Sequence, residues 1–411
     1  MTHTPELGPA SAPDAPTPSE RELRRLYERC VAPDLLVGAQ PAEHPVAMVI
    51  AGQPGAGLTY ASVMLRQQLM QTVDTAAHVS LNRLRAYHPL WAAGGDVAPT
   101  AAALVTAHCQ AWFDRFVSDV QIRRLNLVAE VETTDIEAVP RLATDLRRSG
   151  YAVQAVFVAT AREESRLAML ARYEMRRRAG LGAEAPSIQA HELAFSNVGS
   201  LLGRLEHERM VDGLRVITRS GTQLYESRVI DGVLNRAPRA AETLRIHLDR
   251  APDARELVQY AMRWETLVQR LTGDPAVPRD IAGRTVIWRN DAAARCEQDP
   301  DARQMLQWAR EAGAFRVMNR FEFEKEFPHL ARAVAALGEA VLESERFPPR
   351  EAARLLTHAR ENIAQRIERG DMARIIARQK AMEMKAQGKA RTQPDREPTA
   401  KERPTEEPPT R

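Results

Sequence analysis

Cysteine is scarce in this chain of 411 residues: Cys30, Cys109 and Cys296 are the only three. They are scattered, odd in number and form no CxxC pair, which argues against a disulfide framework or a structural zinc site and sets a reducing cytoplasm as the default. Long apolar runs are missing too. The longest, Val46–Ala51 and Ala101–Ala107, fall well short of the ~18 residues a membrane helix needs. The N-terminus has no basic start followed by an apolar stretch, so a secretory signal is not expected. There is no excess of charge of one sign. Lys and Arg total 57 against 54 Asp and Glu, a formal charge of +3, which excludes a histone-like polycation and gives no global signature of nucleic-acid binding.

Hydrophobic residues are 44% and charged residues 27%, enough for a folded core. The first 18 residues carry five prolines and almost nothing to bury, so residues 1–18 read as a disordered leader. A helix is expected after Ser19, with Glu22 completing a capping box. Val46–Ile50 is a short, partly β-branched run ending in glycines, the pattern of a buried parallel strand. Helix and strand then alternate. Helices are expected over Thr59–Thr72, Ala101–Val120, Asp135–Ser149 and Ala161–Ala179. Strands are expected over Ala77–Leu81, Leu125–Val131 and Tyr151–Ala159. Two late strands, Val211–Thr218 and Thr222–Tyr225, flank a turn at Ser220-Gly221. The alternation predicts an α/β domain over residues 19–230, a parallel sheet covered by helices on both faces.

Residues 240–386 show helical patterns without convincing strands: Ala241–Leu248, Ala254–Leu271, Asp301–Ala312, His329–Val341 and Pro349–Ala386. This is read as an α-helical C-terminal region. Arg374–Lys389 is a basic run, read as a solvated helix or linker. Residues 387–411 are proline-rich and poor in anything to bury, hence a disordered tail.

The most informative segment is Gly52-Gln53-Pro54-Gly55-Ala56-Gly57-Leu58-Thr59, which follows a strand and opens a helix. Glycines there let backbone N–H groups turn around phosphate oxygens, and the helix N-terminus adds positive potential. Thr59 stands where a hydroxyl would meet Mg²⁺. Leu58 stands where a working loop of this type carries lysine. Losing one preorganised charge contact costs about 3–4 kcal/mol of transition-state stabilisation. A bare strand-to-helix turn without a ligand is the competing reading.

Next comes His78-Val79-Ser80-Leu81-Asn82-Arg83-Leu84-Arg85-Ala86-Tyr87-His88-Pro89. With the glycine loop, it resembles the zeta toxin family of P-loop kinases, whose members carry a strand ending in aspartates, then an arginine, then a His-Pro pair. Arg85, His88 and Pro89 match. Ser80 and Asn82 stand where the family has aspartates, the second of which is its general base. Asn82 can orient a hydroxyl but has no basic electron pair to accept its proton. Asn126–Glu130 resembles a family strand whose glutamate lies in the substrate pocket, and Arg172-Tyr173-Glu174 resembles a segment whose arginine reaches the nucleotide's phosphates. The family's further arginine has no counterpart in Gly182–Pro186.

The resemblance covers roughly residues 20–228. It implies a P-loop NTPase-like fold, ATP and Mg²⁺ as cofactors, phosphoryl transfer to a hydroxyl of UDP-N-acetylglucosamine, and an antitoxin protein as partner. By the same carry-over, Asn82, Arg172 and Glu130 are the candidate catalytic residues. Gly52, Gln53, Pro54, Gly55, Ala56, Gly57, Leu58 and Thr59 would bind the nucleotide, with Thr59 on the metal. Arg85, His88 and Glu130 would bind the substrate.

Leu58 and Asn82 both fall at the reaction centre, which points to weakened catalysis. Arg172 or Arg85 could supply charge, and Glu130 or Glu132 could take the proton. Two rival readings stand beside the kinase: a pseudokinase that binds a nucleotide or partner, and an accessory scaffold docking through its helical region and basic tail. His88 reads equally well as a structural histidine before a turn, Glu132 as a solvated loop charge, and Arg176–Arg178 as an exposed helix face.

Overall fold

In a computed structural model the chain is described over residues 17–371 and at Arg374. Most of the expected leader, the basic run past Arg374 and the expected tail lie outside the described residues. The chain divides into two compact units, at Ala294/Arg295.

The first unit is built on one seven-stranded sheet: β1 (Val46–Gly52), β2 (Ala77–Val79), β3 (Leu127–Glu132), β4 (Ala152–Ala159), β5 (Gly213–Thr218), β6 (Gln223–Ile230) and β7 (Val233–Leu234). The spatial order is β2-β3-β1-β4-β5-β6-β7. The first five strands are parallel, while β6 and β7 run antiparallel. The sheet is therefore mixed: the turn at Ser220-Gly221 folds β6 back on β5. Parallel strands need crossover connections, and helices supply them.

Side chains alternate across the sheet, and the core splits accordingly. Ala47, Val49, Ala51, Leu127, Ala129, Val153, Ala155 and Phe157 face one layer, where Trp112, Phe113 and Phe116 of helix Pro99–Ile122 pack with Leu201, Leu202 and Leu205 of helix Ile188–His207. Met48, Ile50, Val128, Val156, Val158 and Ile217 face the other, against Leu58, Ala61, Leu65 and Leu69 of helix Leu58–Leu69. The carboxyl ends of β1 to β5 lie along one edge, where parallel sheets gather their sites.

The capping box at Ser19 and Glu22 forms as the sequence predicts. Several helices were not anticipated at their observed places or lengths, the short Leu81–Arg85 and Pro89–Ala92 among them. Ile188–His207, Arg279–Gln298 and Arg320–Glu326 occupy stretches read as connections, and the expected helix Pro349–Ala386 is described only over Pro349–Glu368, followed by Gly370 at φ +73°.

The second unit is helical. Phe315, Phe323, Leu330, Val334, Leu337, Ile363 and Ile367 form its core. Arg316 binds both oxygens of Glu361 at 3.0 Å and also reaches Glu368 at 2.9 Å, tying helix Pro300–Val317 to helix Pro349–Glu368.

Candidate functional site

The glycine loop leaves the end of β1 and is held by side chains of neighbouring elements. Gln53 is buried, and its amide donates to the Thr160 carbonyl (2.9 Å) and to Ser165 Oγ (3.2 Å). Thr160 Oγ1 donates to the Ala56 carbonyl at 2.9 Å, and an arginine, Arg219, donates to the Gly55 carbonyl at 2.8 Å. These bonds engage the carbonyls, while the amides of Gly55 and Gly57 make no backbone hydrogen bond among the described residues. Gly55 sits at φ +81° against helix Arg162–Arg178; a Cβ there would lie 2.1 Å from the Ser165 carbonyl oxygen. Gly57, at φ +99°, is the cap from which helix Leu58–Leu69 starts. That helix adds first-turn amides that have no intrahelical acceptor.

Leu58 is 7% exposed and packs into the apolar layer beside Ile50, Val156 and Val158. Its side chain turns back toward the strand, since a Cβ at Gly52 would lie 3.2 Å from Leu58 Cδ2. Thr59 is exposed, and its hydroxyl donates to Glu130 Oε2 at 3.1 Å.

Glu130 follows from strand alternation. Val128 and Glu130 share one face of β3, the face that helix Leu58–Leu69 covers. Hence Ser62 Oγ donates to Glu130 Oε1 at 2.6 Å, alongside the bond from Thr59. On neighbouring β2, His78 points the same way and its Nε2 lies 3.0 Å from Glu130 Oε1. An ionised carboxylate only accepts, so His78 donates. Neither Ser62 nor His78 had been given a role from the sequence. The signal was there: Ala77 and Val79 belong to one face of a strand, so His78 must belong to the other.

A cavity of about 780 Å³ opens beside Leu58 and Glu130. Its wall includes Ser80, Asn82, Arg85, Glu132 and Asp135. Ser80 is used locally: its hydroxyl caps helix Leu81–Arg85 by accepting from the Arg83 amide at 3.2 Å. Asn82, the second residue of that helix, is exposed at the cavity wall. Arg85 donates to Thr106 Oγ1 at 2.9 Å, lies 3.8 Å from Glu184 and stacks over Trp91, while its Nε is buried without a partner. Glu132, expected as a loop charge, lines the cavity.

The structure does not bring His88 to this wall. His88 is fully buried, its Nε2 3.0 Å from His108 Nδ1, with Trp112 nearby. Burial, then the neighbouring His108, lowers its pKa to about 4.

Arg172 stands on helix Arg162–Arg178, half-buried, with no ion pair among the described residues, and does not line the cavity. One helical turn on, Arg176 stacks over Trp91 from 5.4 Å and donates to the Gly182 carbonyl at 2.6 Å. Its pKa is lowered by burial and then by the charges of Arg172 and Arg85. Of the three arginines read as an exposed face, Arg178 is exposed, beside Glu174, whereas Arg177 is largely buried in pairs with Asp96 and Asp274. Arg176 thus flanks Trp91 together with Arg85, within range of the charge of Arg172. Sequence spacing could not have found it, because it rests on a contact to the Gly182 backbone.

Thr59 and Glu130 together offer hard oxygen donors of the kind Mg²⁺ takes. Among the described residues no group of three or more His, Cys, Asp or Glu side chains is placed to hold a metal ion. No helix of the described residues is long and apolar enough to cross a membrane.

Comparison with known proteins agrees with this geometry. The zeta toxin family profile matches residues 34–230. Toxin zeta from Enterococcus hirae is 26% identical over 232 residues, 54% of this chain and 76% of that protein, and the Toxin zeta from Streptococcus pyogenes matches to the same extent. A solved structure from the PezAT chromosomal toxin-antitoxin system of Streptococcus pneumoniae superposes with a TM-score of 0.51 at 18% identity, covering 62% of this chain and 99% of that one. Residues 34–230 of this chain thus form a domain similar to the zeta toxin family.

Proposed function

We propose that the first unit is an ATP-dependent kinase that transfers a phosphoryl group to a hydroxyl of UDP-N-acetylglucosamine, the acceptor implied by the family resemblance, and that it works slowly. The observation that carries the reading is one shared cavity: Leu58 of the glycine loop, Glu130 and Asn82 line the same space. The loop's amides and the first turn of helix Leu58–Leu69 would cradle the phosphates. Thr59 and Glu130 would hold Mg²⁺, which neutralises charge on the β- and γ-phosphates when bound. Arg172 would reach the phosphates, and Arg85 with Asn82 would position the acceptor. Phosphoryl transfer passes through a loose transition state, so positioning counts for more than a strong base, and Asn82 can still orient the hydroxyl. Among the described residues Glu132 is the carboxylate on the cavity wall with no hydrogen bond or ion pair to occupy it, the group best placed to receive the proton.

By likeness to the PezAT toxin-antitoxin system, a paired antitoxin is the proposed protein partner. A specific observation favours a second reading, a nucleotide-binding module without turnover: Leu58 is packed into the core and Ser80 is spent on a helix cap, so two positions of the reaction centre serve the fold.

Incubation with MgATP and UDP-N-acetylglucosamine, followed by mass spectrometry, separates the two. A phosphorylated sugar nucleotide that disappears in Arg172→Ala is the expected result. Thermal stabilisation by MgATP with no such product would replace the kinase by the binding module.

A further inference from the structure

We propose that Arg219 supplies the nucleotide's phosphates with the positive charge that residue 58 lacks, a second phosphate-binding cation beside Arg172. The inference rests on the nucleotide site of the kinase reading and deepens it.

Arg219 lies in the turn between β5 and β6, at the sheet edge where the glycine loop lies. The turn is fixed. The Gly221 amide donates to the Thr218 carbonyl at 2.9 Å and the Thr218 amide to the Thr222 carbonyl at 2.8 Å. Thr218 Oγ1 accepts from the Thr222 amide at 3.0 Å and bonds Ser220 Oγ at 2.8 Å. Gly221, at φ +91°, rests on helix Leu58–Leu69 so closely that a Cβ would lie 2.5 Å from Met64 Sδ. From this anchored turn the arginine reaches over the loop. Its Nη1 donates to the Gly55 carbonyl at 2.8 Å, and a Cβ at Gly57 would lie 3.2 Å from its Cγ and 3.7 Å from its Cζ. The side chain thus spans the two glycines that a phosphate loop needs most.

Among the described residues Arg219 has no carboxylate in ion-pair contact; Glu164 and Arg263 act on it only at longer range. Burial pushes its pKa down. A guanidinium carries five N–H donors, and one is spent on Gly55. A partly desolvated cation with spare donors is costly unless an anion completes it, and planar N–H pairs suit phosphate oxygens. Arg166 and Arg177, on helix Arg162–Arg178, are by contrast already paired with carboxylates. A purely structural tie to the Gly55 carbonyl would need a donor but no charge, and that difference is testable.

The full chain is titrated calorimetrically with MgATP, MgADP, AMP and adenosine. Arg219→Gln keeps a donor near Gly55 and removes the charge; Arg219→Lys keeps the charge. The expected result is an affinity for MgATP about 10- to 100-fold weaker in Arg219→Gln, a loss that shrinks stepwise through MgADP and AMP to less than about twofold for adenosine, and partial recovery in Arg219→Lys. Unchanged MgATP affinity in Arg219→Gln overturns the proposal and leaves the nucleotide loop standing. An equal loss for all four ligands also overturns it, because that is the mark of a structural tie. If the unaltered chain binds none of the four, this proposal and the nucleotide-site reading fall together.

Discussion

At the scale of single residues, Leu58 and His88 show how a family position can be taken over by the fold. Leu58 contributes to the apolar layer under helix Leu58–Leu69. Restoring lysine replaces buried hydrocarbon by a chain that must thread its ammonium out to the loop. Leu58→Lys is therefore expected to lower stability by about 1–2 kcal/mol in chemical denaturation. Turnover is expected to rise clearly only when Asn82→Asp is added. His88 is held neutral by burial and by His108, with its pKa lowered to about 4. Between that value and the ordinary value near 6.5, the unfolded chain binds a proton that the folded chain refuses, so stability falls as pH drops through this window. The contribution is whole above about pH 6.5. Urea midpoints measured from pH 7 to 4 should fall less steeply in His88→Gln, which cannot take the proton; an identical slope would remove the histidine from the acid limb.

At the scale of elements, the glycine loop depends on its backbone as much as on its ligand chemistry. Gly55→Ala forces a Cβ into the Ser165 carbonyl at a positive φ, where an L side chain is strained. A loss of about 2 kcal/mol or more is expected in denaturant unfolding, together with weaker MgATP binding. The elements most readily seen in the sequence were those with the cleanest periods. β1, β3 and β4 are buried on both faces and read as apolar runs, and helix Glu20–Leu26 announced itself by its capping box. Helix Ile188–His207 was not read, though Ser187 caps it and Ala194, Val198, Leu201 and Leu205 share a face. Gly199 and Gly203 interrupt the pattern, and interior glycine costs a helix roughly 1 kcal/mol that packing must restore. Helix Arg279–Gln298 is mostly polar and gave little apolar signal. The site divides the same way. Its loop, Asn82 and Arg85 lie on contiguous motifs. Ser62, Arg176 and Arg219 reach it from separate elements, and only the folded sheet brings them there.

At the scale of the whole molecule, the division at Ala294/Arg295 leaves the entire sheet, the glycine loop and the 780 Å³ cavity in the first unit. That unit also has its own tryptophan packing, with Trp264 fully buried and 5.5 Å from Trp288. A chain ended after Ala294 is expected to unfold in one cooperative step and to bind MgATP within about twofold of the full chain; a non-cooperative melt would show that the division is not a folding boundary. The sheet's two margins are stubs. β2 has three residues and β7 has two. A donated strand, or the first layer of a fibril, needs a longer row of free amides and carbonyls than either stub presents. Neither stub therefore gives an incoming chain much backbone to pair with, and the longer row lies on β6, which β7 covers only at Val229 and Ile230.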